Sequence, residues 1–132
     1  MEEKRFSIAK RIKSFSFAFN GLRILFKEEH NSRVHLFATI IVIIAAILFE
    51  VNIYEWVAIV FAIGLVITVE IINTAIENIA DYLTTDKNEK IKKIKDLSAA
   101  AVLISAMTAL LIGLIIFLPK IILCKNKMPS KI

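Results

Sequence analysis

The chain has 132 residues, of which 58% are hydrophobic, and its mean hydropathy is +0.72. Soluble domains are about 45–50% apolar, and a chain this short leaves a large share of its surface exposed when it folds. The excess of apolar surface therefore faces lipid, which predicts a small integral membrane protein built as one domain, residues 1–132. The only cysteine, Cys124, excludes an intrachain disulfide and a cysteine-based zinc site, and we expect it to be an ordinary thiol.

The net charge of +5 comes from 17 Lys and Arg against 12 Asp and Glu, and its distribution favours a membrane over nucleic acid as the partner. Basic residues cluster before the first apolar run and between the second and third runs, whereas none lies between the first and second. Short loops rich in Lys and Arg stay cytoplasmic. We therefore expect the N-terminus and the 81–96 loop on the cytoplasmic side of the membrane and the loop around Asn52 outside. The C-terminal lysines oppose this rule but are outnumbered, and the polar N-terminal stretch lacks the pattern of a secretory signal.

The first predicted element is an amphipathic helix over residues 4–27. Its apolar residues recur at spacings of three and four, and basic residues fill much of the remaining surface. They are Ile8, Ile12, Phe15, Phe19, Leu22 and Phe26. A helix of this kind lies in the membrane interface, with its rings in lipid and its basic side chains near anionic headgroups.

Three apolar runs predict three transmembrane helices, over residues 34–49, 56–83 and 97–118. The first run is short against the roughly 20 residues that cross a bilayer, so flanking residues are expected to complete it. Tyr54 and Trp56 mark the outer interface. The third run is expected to stop at Pro119, which leaves a C-terminal tail over residues 119–132. Gly64 and Gly113 lie inside spans, where close helix packing is the usual reason for glycine. The predicted fold class is all-α.

A polar stripe interrupts the second predicted span. Glu70, Asn73, Glu77 and Asp81 follow at helical steps that keep them within roughly 60° of one another around the axis. Acids in membrane helices cost a few kcal/mol each and face a protein interior or a water-filled cavity. Glu70 lies roughly 21 Å along the helix from Trp56, just inside the expected cytoplasmic boundary, and Glu77 lies about 10 Å further on, at headgroup level.

The carboxylates of this stripe have basic and acidic residues beside them that suit phosphoryl transfer. Lys95 lies at the mouth of the third span, and Glu28 and Glu29 lie at the end of the N-terminal helix, at the same membrane level. Carboxylates that hold Mg2+ on phosphate oxygens, with a cation near the developing charge, form such a set. A polar seam between helices and a proton or cation relay are the alternatives. The three glycines form neither of the common phosphate-binding loops.

The residues of this region resemble a known family. The stretch Glu70-Ile-Ile-Asn73-Thr-Ala-Ile-Glu77, followed by Asp81 and Lys95-Asp96-Leu-Ser-Ala-Ala-Ala-Val, closely resembles the signature of the prokaryotic diacylglycerol kinases. The stretch Phe19-Asn-Gly21-Leu-Arg23, with Glu29 further on, is similar to the N-terminal region of that family. The similarity extends from about residue 10 to residue 118. It implies a homotrimer of three-span subunits with active sites shared between neighbours, and Mg2+-dependent transfer of the ATP γ-phosphate to a lipid hydroxyl.

The resemblance also implies roles for single residues. Glu70 would be the general base on the lipid hydroxyl, and Asn73 would support it. Glu29 and Glu77 would hold Mg2+ on the nucleotide phosphates. Lys95 would act in catalysis and, with Asp96, would contact the nucleotide. Further nucleotide contacts are expected from Asp86, Lys87 and Asn88, whose residue types differ from the family pattern, and from Lys10 and Phe17, which stand where the family has Arg and Tyr.

Two more departures from the family pattern bear on the substrate. His35 replaces an acid, and Ser98-Ala99 replaces Gly-Ser. These departures resemble the Gram-positive branch of the family, whose preferred substrate is undecaprenol. The resemblance therefore implies an undecaprenol kinase, and a diacylglycerol kinase that produces phosphatidic acid is the alternative.

Two other classes of protein compete with a kinase. A small proton-coupled transporter also uses an intramembrane glutamate, but it predicts four spans and an acid near mid-membrane. A structural or regulatory subunit gives no reason for Glu70, Glu77 and Lys95 to converge. Of the remaining polar residues, Asp81 is expected to pair with a basic residue of the loop. His30 and His35 are expected at the interface and not as metal ligands.

Overall fold

The computed structural model describes residues 8–83 and 88–127, and they form four α-helices. These are α1 (Ile8–Glu28), α2 (His30–Leu48), α3 (Ile53–Leu83) and α4 (Glu89–Lys127). The described ranges contain no β-strand. The helices α2, α3 and α4 are each long and apolar enough to cross a membrane. The predicted all-α membrane fold with three spans and an N-terminal helix is confirmed.

The helix ends differ from the predicted spans chiefly at the start of α2 and at both ends of α4, which begins at Glu89 and not at residue 97. The helix α2 begins at His30, before the apolar run starts at residue 34, and so supplies the length that the short run lacks. The helix α4 continues through Pro119 to Lys127, although the third span is predicted to stop at that proline. Proline removes one backbone hydrogen bond and normally breaks a helix. Here the next residue, Lys120, is tied to α3 because its Nζ lies 3.1 Å from Glu55 Oε2.

The C-terminus of α2 ends in a Schellman motif. Val51 N donates to the Ala46 carbonyl at 3.1 Å, and Glu50 N donates to the Ile47 carbonyl at 3.2 Å. Glu50 has a φ of 47°, in the left-handed region where this motif usually places glycine. Val51 and Ala46 are both buried, so the motif also joins the chain reversal to the core.

The N-terminus of α3 is closed by a capping box. Asn52 Oδ1 accepts hydrogen bonds from the backbone N–H groups of Tyr54 and Glu55, at 2.9 Å and 3.0 Å. Glu55 Oε2 accepts the backbone N–H of Asn52 in return, at 2.7 Å. The box satisfies N–H groups that a helix start otherwise leaves without partners. The α2–α3 connection is therefore short and fixed at both of its ends.

The helix α3 is the centre of the bundle. It packs antiparallel along most of α4 and more narrowly against α2, and α1 contacts both α2 and α3. The buried apolar core, Ala46, Val51, Ile59 and Ile116, lies near the α2–α3 connection, where the rings of Phe49 and Phe117 meet edge-on at 6.0 Å. We call this the core end. The other end, where α3 carries Glu70, Glu77 and Asp81, is the acidic end.

Most apolar side chains of the spans lie outside this core. Only 11% of the most apolar window of α2 and of α4 is buried, against 28% for α3. The outer faces of α2 and α4 are therefore free to meet lipid or other protein. Close packing does not explain the span glycines, because a Cβ added at Gly64 or Gly113 meets nothing within 4 Å.

Candidate active site

Glu70 is buried between α3 and α2. Its residue is 3% exposed, and its Oε1 lies 3.0 Å from Nε2 of His35 on α2. Despite this short contact, Oε1 gains no hydrogen bond of ordinary geometry from the described residues. A buried carboxylate oxygen in this position is costly unless a partner arrives. The oxygen therefore keeps an unused capacity to accept a hydrogen bond, and it is closed off from solvent.

Asn73 is fixed by hydrogen bonds on both sides of its amide. Ser98 Oγ, on α4, donates to Asn73 Oδ1 at 2.6 Å. Asn73 Nδ2 donates to Glu77 Oε1 at 3.2 Å. Ser98 is buried and Asn73 and Glu77 are half-buried, so the chain of bonds is largely sheltered from water. These bonds set the direction of the Glu77 carboxylate, whereas the resemblance implied that Asn73 supports Glu70.

Lys95 forms an ion pair with Asp81, in which Nζ lies 2.8 Å from Oδ1. The expected pairing of Asp81 with a basic residue of the loop is confirmed. An ammonium group carries three N–H donors, so Lys95 retains donors for an anion while it is bound to Asp81. Asp96 is exposed one residue later and is paired with Lys92, with Nζ and Oδ2 3.1 Å apart. Both residues implied as nucleotide contacts thus lie together at the start of α4.

Glu29 occupies the junction between α1 and α2. It is the N-cap residue of α2, with extended backbone angles (φ −95°, ψ 118°), and its side chain makes no capping hydrogen bond. The carboxylate is therefore not consumed by the helix end. Within residues 8–83 and 88–127, no group of three or more His, Cys, Asp or Glu side chains could hold a metal ion. Mg2+ is often held by one or two carboxylates with phosphate oxygens as further ligands, and the carboxylates of Glu29 and Glu77 are each of the chemical type that such a site uses.

The structure does not bring the remaining predicted nucleotide contacts into the same cluster. Asn88 caps α4, since its Oδ1 accepts the backbone N–H of Lys90 at 2.9 Å. Lys10 and Phe17 are exposed on α1, and the Phe17 ring has Lys13 Nζ 6.0 Å from its centroid. The other two, Asp86 and Lys87, lie outside the described residues.

An apolar groove runs between α2, α3 and α4 from the acidic end toward the core end. Its volume is about 490 Å³. His35 and Val66 lie at the acidic end of the groove, and Phe117 lies at the other. Among the described residues that line it, only His35 and Thr39 have polar side chains. Val66 is one helical turn before Glu70, so the groove leads to the buried carboxylate.

Sequence reasoning assigned no role to two residues of this site. His35 was expected at the interface, yet it is half-buried against Glu70. Ser98 was noted only as a departure from a family pattern, yet its hydroxyl group orients Asn73. Both residues could have been found from their departures from the family pattern, because each departure places a hydrogen-bonding side chain beside the polar stripe of α3.

These features define a multi-pass helical membrane protein with an acidic site at one end of an apolar groove. The sequence profile of the prokaryotic diacylglycerol kinases matches residues 16–117. An undecaprenol kinase from Bacillus subtilis is 36% identical over 120 residues, which cover 91% of this chain and 98% of the relative. The chain therefore belongs to the prokaryotic diacylglycerol kinase family.

Two more relatives carry the same family name. A diacylglycerol kinase from Synechocystis is 32% identical over 110 residues, 83% of this chain and 63% of the relative. A diacylglycerol kinase from Escherichia coli is 30% identical over 100 residues, 76% of this chain and 82% of the relative. Together the family and the relatives indicate a lipid kinase, and a kinase of this family implies ATP as the co-substrate. The transporter alternative has no support among these relatives, and the described residues contain three helices of spanning length where it predicts four.

Proposed function

We propose that this chain is an ATP-dependent undecaprenol kinase, which transfers the γ-phosphate of ATP to the hydroxyl group of undecaprenol with Glu70 as the general base. The observation that carries the proposal is the position of Glu70. Its Oε1 is buried without a hydrogen bond of ordinary geometry from the described residues, and it lies next to His35, which lines the apolar groove. A lipid chain in that groove would present a terminal hydroxyl group to this oxygen.

The chemistry requires a base at this position. An alcohol is a weak nucleophile near neutral pH, and a positioned carboxylate that takes its proton during attack accelerates the reaction. The lipid oxygen attacks the γ-phosphorus in line, so a new O–P bond forms as the bond to the leaving ADP oxygen breaks. The hydroxyl proton goes to Glu70. The transfer is direct and forms no covalent enzyme intermediate.

The nucleotide would lie at the acidic end. Glu77, whose direction is set by Asn73, would hold Mg2+ together with Glu29. When bound, Mg2+ would neutralise charge on the nucleotide phosphates. Lys95 would stabilise the charge that develops on the transferring group. Asp96 follows Lys95 on α4, and the further proposed nucleotide contacts are Asn88, Asp86, Lys87, Lys10 and Phe17.

The lining of the groove favours a polyprenol over diacylglycerol. A polyprenol has one polar group, the hydroxyl, and its chain matches apolar walls. Diacylglycerol carries ester carbonyl groups close to its hydroxyl, and their burial is costly where only His35 and Thr39 of the walls can offer a hydrogen bond. The name of the Bacillus subtilis relative supports the same substrate. The names of the Synechocystis and Escherichia coli relatives support diacylglycerol, which is the second candidate.

We further propose a homotrimer in the bacterial cell membrane, with active sites shared between neighbouring subunits and facing the cytoplasm. The support is the low burial of α2 and α4 and the resemblance stated above. A single bundle of three spans does not surround a nucleotide and a lipid together. Identical neighbours would supply the missing walls. The whole chain, residues 1–132, is proposed to be one membrane domain.

The proposal is tested by phosphorylation of lipids in mixed micelles. The purified protein is incubated with radiolabelled ATP, Mg2+ and either undecaprenol or diacylglycerol at equal mole fraction, and labelled lipid is separated by chromatography. We expect faster labelling of undecaprenol. Faster labelling of diacylglycerol would select the second candidate, and labelling of neither lipid would reject lipid kinase activity under these conditions.

The role of Glu70 is tested with a matched pair of variants. Glu70→Gln keeps the size of the side chain and removes the base, so it should abolish turnover while ATP binding and assembly persist. Glu50→Gln makes the same substitution at an exposed glutamate of the core end and should retain activity. Turnover by Glu70→Gln at the rate of the unmodified protein would contradict the assignment of the base.

A further inference from the structure

We infer that His35 is a positioning residue for this reaction, and that its imidazole holds the Glu70 carboxylate at the acidic end of the groove. The inference rests on the proposed function of Glu70 as the base. It adds a residue of α2, a helix from which the sequence assigned no site residue. The contact joins His35 Nε2 and Glu70 Oε1 at 3.0 Å.

The contact is sheltered, which makes it able to fix a side chain. The side chain of Glu70 is 4% exposed and that of His35 is 25% exposed. A glutamate side chain loses up to about 2 kcal/mol of rotamer freedom when it is ordered, so a held conformation requires a partner. At this distance, and away from bulk water, the interaction of the ring nitrogen with the carboxylate is stronger than at the surface.

The two carboxylates proposed to act in the reaction are each fixed by one polar neighbour. The amide of Asn73, held by Ser98 of α4, fixes Glu77. The imidazole of His35, on α2, is the corresponding neighbour of Glu70. The helices on either side of α3 therefore each orient one acid of the same stripe.

His35 also lines the groove that we propose for the lipid. Its ring lies between the apolar walls and the carboxylate, so a hydroxyl group at the end of a bound chain would meet both side chains. A change at His35 should therefore affect the part of the reaction that involves the lipid hydroxyl group. The nucleotide half depends on residues of the acidic end, beyond Glu70, and should respond little.

Two alternative roles for the pair are disfavoured. The described residues offer no third acidic, histidine or cysteine ligand that would make His35 and Glu70 a metal centre. The pair is also not required to dock α2 on α3, because Ala46 and Ile59 are buried together in the core at the other end. A role in positioning the base accounts for both the short distance and the burial.

The experiment compares three substitutions at His35 with one at the other histidine. Glutamine places an amide N–H at about the reach of Nε2, asparagine places it one methylene short, and leucine removes it. His30→Gln is the matched control, since His30 is exposed at the start of the same helix. For each variant, kcat and the KM values for ATP and for lipid are measured in mixed micelles, with the lipid that the unmodified protein phosphorylates fastest. Assembly and thermal unfolding are recorded for every variant.

We expect His35→Leu and His35→Asn to lower kcat between about 10- and 100-fold, since misplacement of a reacting group by 1 Å can cost 10²-fold. The KM for ATP should change less than about twofold, which is under 0.5 kcal/mol. His35→Gln should recover a clear part of the lost kcat, and His30→Gln should match the unmodified protein. A purely structural role predicts no difference between the glutamine and asparagine variants.

Three outcomes would overturn the inference. These are an unchanged kcat in His35→Leu, equal kcat in the glutamine and asparagine variants, and a rise of KM for ATP that accounts for the loss of activity. The two polar variants keep the test valid if the leucine variant does not assemble. Failure of the proposed base is a separate result, because it shows as full activity of Glu70→Gln whatever the His35 variants do.

Discussion

Replacement of Gly113 by leucine tests whether the apolar groove holds the lipid chain. Gly113 lines the groove on α4, and a Cβ at this position meets nothing within 4 Å, so the new side chain enters the groove without a clash at its first atom. Gly64→Leu is the matched control. Gly64 is also in a span with open space around it, but it does not line the groove. Both substitutions replace glycine in a helix by a better helix former.

The size of the expected effect follows from what the lipid loses. Lipid atoms displaced from the groove return to an equally apolar bilayer, so the loss does not include the hydrophobic transfer energy of about 0.8 kcal/mol per CH₂. What is lost is packing, at about 0.1–0.2 kcal/mol per atom pair, and roughly ten pairs for the four carbons of a leucine side chain give about 1–2 kcal/mol. This corresponds to a decrease in lipid affinity of about 5- to 30-fold.

The assay is the mixed-micelle reaction with varied mole fraction of undecaprenol at saturating ATP. Gly113→Leu should raise the KM for lipid by the factor given above, with the KM for ATP unchanged. Gly64→Leu should leave both KM values unchanged. If Gly113→Leu phosphorylates undecaprenol with the KM of the unmodified protein, the groove is not the lipid site. An equal rise of the KM for lipid in both variants would show that the effect comes from replacing glycine in a helix and not from filling the groove.

Three further predictions follow from single contacts. Glu50→Gly should raise the free energy of unfolding by about 0.5–1 kcal/mol, because glycine removes the strain of the left-handed backbone and this gain exceeds the cost of its greater freedom in the unfolded chain. A denaturation curve in detergent measures the change. A curve that shifts the other way would show that the Glu50 side chain contributes more than its backbone strain costs. Ser98→Ala should raise the Mg2+ concentration for half-maximal activity by about 2- to 10-fold, because loss of one hydrogen bond of about 0.5–1.5 kcal/mol loosens the amide that directs Glu77. A Mg2+ titration of activity measures this change. An unchanged titration would show that Ser98 does not act on the proposed metal site. Asp81→Asn should leave thermal stability nearly unchanged, because the pair with Lys95 is exposed. Lys95→Met should lose turnover. Kinetic measurements on both variants at saturating ATP distinguish this loss of turnover from a structural role that the two residues share.

The spans could be predicted from the sequence because a charge-free run of sufficient length has one low-energy environment, the hydrocarbon core. The helix ends could not be predicted as well. Composition marks where a span leaves the membrane and not where its helix stops, and α4 continues past Pro119, where Lys120 contacts Glu55. Such a contact depends on how two helices are aligned, and that is set by packing over their whole length.

The candidate site could likewise be predicted from the sequence only in part. The period of the helix placed Glu70 and Glu77 on one stripe of α3, which needs no knowledge of other helices. The partners of these acids come from α2 and α4, through His35 and Ser98. Which of their faces turn toward α3 depends on the rotation of each helix about its own axis. The periodicity of the spans sets this rotation only weakly, because they are apolar on most faces.

The acids of the stripe become more exposed from Glu70 to Asp81, and this order matches the separate roles that we propose for them. Glu70 is buried and lies beside a groove with apolar walls, so it suits a hydroxyl group delivered from the membrane. Glu77 is half-buried and directed by an amide, so it suits a cation shared with a hydrated phosphate. Asp81 is exposed and bound to Lys95, so it serves to place that ammonium group. The three carboxylates of one stripe of α3 thus lie in three environments, because each step along the helix moves the carboxylate from the buried position of Glu70 toward the exposed position of Asp81.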